Sequence, residues 1–117
     1  MLLVTAKATP SFSAPFSTCR EYRVMQRHLT KKDQGKRLKA VEIYFTRKNP
    51  KVSQKKISQY ANLIDHYSSQ YGLDPFLVAG VMMKESTVKE KAVSKGNYGL
   101  MQINWNANRP WIVKTFP

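Results

Sequence analysis

V-M-M-K-E-S-T-V-K-E-K-A-V-S-K-G-N-Y-G-L-M-Q-I-N spans Val81–Asn104. It opens as the end of an apolar helix, and Glu85 interrupts it. Glu85 lies three and four positions beyond Met82 and Val81, on the face that also carries Leu77 and Val78. That periodicity predicts a buried stripe ending in a carboxyl. A carboxyl on a buried face loses hydration, which disfavours its charged form. An acid that keeps its proton near neutral pH is what glycosidic cleavage asks of a general acid. Periodicity alone serves equally well for a glutamate that ends a helix and turns outward toward Lys84 or Lys89.

Working back from this stretch, Asp74-Pro75 supplies an N-cap and a first-turn proline for the helix near 75–86. The helix before it is capped by Ser53 and stopped by Gly72. Its apolar residues, Ile57, Tyr60, Ala61, Ile64, Tyr67 and Tyr71, keep helical spacing. Ile57, Ile64, Val81 and Met82 are expected in the core. Asn49-Pro50 is a stop. Before it, Leu38, Val41 and Phe45 fit a short helix, while Val41, Ile43 and Phe45 fit a strand; the helical neighbours favour helix. Lys31–Lys39 reads as a solvated basic run, and Tyr22, Met25 and Leu29 mark a weak helical face. Working forward, residues 87–98 read as a loop and a third helix is expected near Gly99.

The chain has 117 residues and a formal net charge of +13. The charge is uneven. Thirteen Lys and Arg lie between Arg20 and Lys56 against Glu21, Asp33 and Glu42, a local net of +10. From Ile57 to Pro117 the net is +2. Such a front points to an anionic partner, whether nucleic acid, lipid surface or cell-wall polymer. The reading is a basic, poorly structured segment over 1–40 and a more apolar domain over 41–117. Residues 1–19 read as an irregular end. Met1–Ala6 is too brief for a secretory core, and Thr18 makes a poor lipoprotein cleavage site before Cys19. Cys19 stands alone, so an intrachain disulfide is excluded. No run approaches the ~20 apolar residues of a membrane span.

Y-G-L-D-P-F-L-V-A-G-V-M (71–82), E-S (85–86), A-V-S (92–94) and G-N-Y-G-L-M-Q-I-N (96–104) together resemble the lytic transglycosylases, lysozyme-like enzymes that cut peptidoglycan. The specific element is Glu-Ser followed, seventeen residues after the glutamate, by the Gln of Gly-Leu-Met-Gln. The resemblance implies an all-α, lysozyme-like lytic transglycosylase fold. It reaches back to about Val41. After Asn104 nothing matches the family's Ala-Tyr-Asn motif, so only the N-terminal half of the domain is expected.

The resemblance makes Glu85 the catalytic acid and base. It implies cleavage between N-acetylmuramic acid and N-acetylglucosamine with a 1,6-anhydro end as product. Ser94 and Gln102 match substrate-contacting positions, as loop-turn and helix-surface residues would equally. Met101 and Tyr98 are further substrate-binding candidates, with packing as the other reading for each, and Trp105 and Trp111 could stack on sugars or pack. Ser86 is expected to support the glutamate, and Gly99 to let backbone approach Glu85 or the sugar. Asn97 stands where the family usually has Ala. A two-carboxylate hydrolase lacks its second acid: Asp74 reads as a cap, Asp65 as an exposed helix edge, and Glu90 as one charge between Lys89 and Lys91. No metal or cofactor is implied, since His28 and His66 have no ligand company.

The implied partner is the peptidoglycan glycan strand, at the bacterial cell envelope or periplasm, peripheral to the membrane. The Gly-Leu-Met-Gln-Ile-Asn wording is similar to enzymes that serve secretion or conjugation machinery. No specific nucleic-acid motif is visible. The rival reading is an inactive remnant acting as a basic binding module for anionic envelope polymer or nucleic acid.

Overall fold

The computed structural model describes residues 29–116, together with Arg20, Arg23, Val24 and Arg27, which are helical. Readings that fall on residues 1–19, Tyr22, Met25 and His28 lie outside the described residues. A 3-10 turn at Lys31–Asp33 leads into α1 (Gln34–Lys48), followed by α2 (Gln54–Tyr71) and α3 (Pro75–Ser86). Three two-residue strands come next: β1 (Val93–Ser94), β2 (Asn97–Tyr98) and β3 (Ile103–Asn104). The last element is α4 (Trp105–Thr115). By its internal contacts the chain divides into two units, Met1–Ala79 and Gly80–Pro117, with the division inside α3.

In the first unit α1 packs along α2. Their buried apolar residues are Val41 and Phe45 on α1 and Ile57, Tyr60, Ala61 and Ile64 on α2. Tyr67 and Tyr71, expected on the same stripe, are exposed. The caps are those the sequence announces. Ser53 Oγ accepts from the Lys56 N–H at 3.3 Å, and Gly72 closes α2 in the left-handed region at φ +67°. Asp74 Oδ1 accepts from the Phe76 N–H at 2.8 Å. Ser53→Ala is expected to cost about 1 kcal/mol by loss of the cap bond, measurable by denaturant titration.

Two charge readings are corrected. Within the basic front, α1 is helical from Gln34 to Lys48 and so crosses position 40/41. Asp65 is not an exposed edge but buried, 4% accessible. Arg37, inside the supposed solvated run, is buried with it. Its Nε donates to Asp65 Oδ1 at 2.7 Å and its Nη2 to Oδ2 at 3.1 Å. Nη1 reaches the Thr30 carbonyl at 2.6 Å, and Gln34 Nε2 donates to Asp65 Oδ2 at 3.3 Å. This paired-fork geometry satisfies both carboxylate oxygens, which is the condition for burying an ion pair at all.

In the second unit the strands form an antiparallel meander in the order β1-β2-β3. Val93 pairs with Tyr98, Ser94 with Asn97, Asn97 with Asn104 and Tyr98 with Ile103. The meander takes the second half of the expected loop over 87–98, while residues 87–92 are turns and bends. No helix starts near Gly99; α4 starts at Trp105, where Asn104 Oδ1 accepts from the Ala107 N–H at 2.9 Å. The fold is mostly helical, as expected, with one small sheet. Pro110 sits inside α4 and has no N–H to give the Asn106 carbonyl.

Candidate active site

Glu85 is in the last turn of α3 and is exposed. The buried side of α3 includes Ala79, Met82 and Ser86; of the stripe expected on Leu77, Val78, Val81, Met82 and Glu85, only Met82 is buried. Leu77 and Val81 are 63% and 40% accessible. The expectation of a desolvated carboxyl is thus corrected: Glu85 meets water. Small residues explain the difference. Ala79 and Ser86 can face inward, and a helix apolar nearly all round gives periodicity little to choose by.

Ser86 braces the helix end, with no bond to Glu85 among those the structure gives it. It is buried, and its Oγ donates to the Met82 carbonyl at 3.1 Å. The chain then turns through Thr87 and Val88 at φ +53° and +59°. Both residues are β-branched, the type for which the left-handed region is least comfortable, at an expected cost of order 1–3 kcal/mol each. Val88 is 2% accessible, and its burial offsets part of that cost.

The Gly-Leu-Met-Gln motif, Gly99–Gln102, is the connection between β2 and β3. Gln102 itself has φ +48°. Its Nε2 donates to two carbonyls, Ala92 and Gly99, each at 3.0 Å. The Ala92 carbonyl also accepts from the Gly99 N–H at 2.8 Å. The glutamine side chain therefore ties the β2–β3 connection to the strand entering the meander, and both its N–H donors are engaged inside the protein. Gly99 adopts φ +81°, and a Cβ there would come no nearer than 3.9 Å, to the Glu90 carbonyl. Backbone conformation, not close approach, demands glycine here. Gly99→Ala is expected to destabilise by about 1–2 kcal/mol, read as a lowered melting temperature.

The other candidates divide by exposure. Ser94, on β1, is exposed, and Met101 is half-buried. Tyr98 is exposed and lines an apolar groove of about 390 Å³ with Ile103, Trp105 and Ile112. Sequence reading singled out neither Ile103 nor Ile112; the cross-strand pair Tyr98–Ile103 brings them in. Trp111 stands apart from this groove, edge-on to Phe116 at 5.9 Å. Among the described residues no cluster of His, Cys, Asp and Glu could hold a metal ion, and no helix is long and apolar enough to cross a membrane.

The Glu85-Ser86 helix end, the antiparallel meander and its bracing Gln102 follow one another within Gly80–Pro117. Residues 62–115 match the family model of the transglycosylase SLT domain. Residues 62–115 are thus similar to the lytic transglycosylases, a family that acts on peptidoglycan. The match begins within α2 and continues through α4. No curated protein and no solved structure matches the chain.

Proposed function

We propose that the chain is a peptidoglycan lytic transglycosylase in which Glu85 is the catalytic acid and base. The observation that carries this reading is that one family match covers both Glu85-Ser86 and the Gly99–Gln102 connection, while Glu85 is open to a ligand. The Glu85 carboxyl gives its proton to the glycosidic oxygen, and N-acetylglucosamine leaves. The muramoyl acetamido oxygen attacks C1 as that bond breaks. Glu85 then takes the proton of the same sugar's O6 hydroxyl, whose oxygen displaces the acetamido group and closes the 1,6-anhydro ring. A glycan strand lying over Glu85 would displace the water around it, which strengthens charge interactions within the covered site. Ser94, Tyr98 and Met101 are the proposed substrate contacts, Gln102 and Gly99 shape the connection that carries Met101, and the site of action is the cell envelope.

Incubation of the purified chain with sacculi tests the reading. Soluble muropeptides with anhydro ends support it; release of reducing ends only, or of nothing, overturns it.

The exposed lysines of the basic front, Lys31, Lys32, Lys36, Lys39, Lys51 and Lys55, are proposed to hold the anionic wall polymer. Replacing them by Gln should weaken co-sedimentation with sacculi at low salt severalfold. The loss should shrink as added salt brings the screening length to ~8 Å. Binding insensitive both to these changes and to salt would remove this role.

A further inference from the structure

We propose that the outer face of α1, with the helical residues described ahead of it, is a docking surface for an anionic lipid membrane. The inference does not depend on the catalytic reading of Glu85. Helix α1 buries Arg37, Val41 and Phe45 on the side that packs along α2. Its opposite side carries Lys36, Lys39, Ile43 and Arg47, spaced by three and four positions and all exposed. By the helix rise this line is about 16 Å long. Glu42, the one acid of α1, is half-buried and lies on the flank. Arg20, Arg23, Val24 and Arg27, helical and exposed, repeat the pattern: three cations and one aliphatic residue at helical spacing.

Charge alone would serve any polyanion. The aliphatic side chain within each line is what selects lipid. Ile43 is 42% accessible and Val24 38%. Against the phosphates or carboxylates of a polymer such a side chain meets no apolar counterpart, whereas between lipid headgroups it reaches acyl carbon. Each cation close to an anionic leaflet adds its own attraction. The apolar side of α1 stays packed within the protein, so this contact lies on the membrane surface and requires no helix to insert. Lysines shared with the proposed wall contact serve either partner by charge; Ile43 discriminates between them.

Flotation of the full chain with vesicles tests the assignment. The wild type should float with phosphatidylcholine vesicles that contain phosphatidylglycerol and not with phosphatidylcholine alone. Replacing Lys36, Lys39 and Arg47 by Gln should weaken binding about a hundredfold, at roughly fivefold per charge. Ile43→Ser keeps every charge and should weaken it about fivefold. Ile43→Trp should tighten it, because indole settles at the headgroup level. Neither change at Ile43 should alter retention of duplex DNA in a gel-shift or co-sedimentation with sacculi. These side chains are exposed, so the helical circular dichroism of each variant should match the wild type. Failure of the wild type to bind the mixed vesicles overturns the proposal. Binding that falls with the charges but ignores both changes at Ile43 shows a general polyanion surface, and overturns the assignment to lipid.

Discussion

Glu85→Gln should lower the release of anhydro-muropeptides from sacculi by at least a hundredfold, toward the detection limit. Glutamine keeps the size and hydrogen-bonding capacity of the side chain but cannot give up a proton and take one back. General acid–base catalysis contributes about 10²–10⁴ in rate, and here one residue serves both halves of the reaction. In the second unit the only other carboxylate among the described residues is Glu90. Because Glu85 is exposed, the substitution should leave stability within about 0.5 kcal/mol. Mass spectrometry of the released fragments, beside a thermal melt of the same sample, separates lost chemistry from lost fold. Persistent anhydro release by Glu85→Gln would remove the assignment.

Asp65→Ala should destabilise the first unit by about 3–5 kcal/mol, because it leaves the Arg37 guanidinium buried without its carboxylate. Domains are stable by only ~5–15 kcal/mol, so the loss is a large share of the total. At about 4–8 °C per kcal/mol for a domain of this size, the melting temperature should fall by more than 10 °C. Replacing both partners at once, Arg37→Met with Asp65→Leu, removes two charges rather than orphaning one and should recover much of the loss. A drop below about 1 kcal/mol in Asp65→Ala would show that water reaches Arg37 readily. The pair also bears on the basic front: Arg37 is one of its cations, yet it faces inward and offers nothing to an external polymer.

Elements that rest on local chemistry were readable from the sequence, and those set by distant partners were not. Helix α2 and its ends followed from Ser53, Gly72 and the spacing of Ile57, Ala61 and Ile64, because caps and helical faces are determined within a turn or two. The Arg37–Asp65 pair joins positions 28 apart, which no local period records. A signal was present nonetheless: Arg37 stands four before Val41, and Asp65 four after Ala61, each on the stripe that is buried. The meander escaped notice because two-residue strands are too short to show alternation. Gly96 and Gly99, at φ +80° and +81°, were the visible trace of its turns. The Glu-Ser and Gly-Leu-Met-Gln motifs marked the candidate site by order and spacing. The side of α3 on which Glu85 falls was decided by Ala79 and Ser86, residues whose type gives no burial preference strong enough to read.

The meander carries a consequence for the order in which the chain assembles. Its strand partners lie at most seven positions apart, so closing it costs little chain entropy. Hairpins of this kind form in about 1–10 μs. The α1–α2 pairing can likewise start at its short connection over 49–53, with the Arg37–Asp65 pair, 28 positions apart, joining later. The connection that bears Gln102 is thus built from nearest neighbours and needs no long loop to close before it forms.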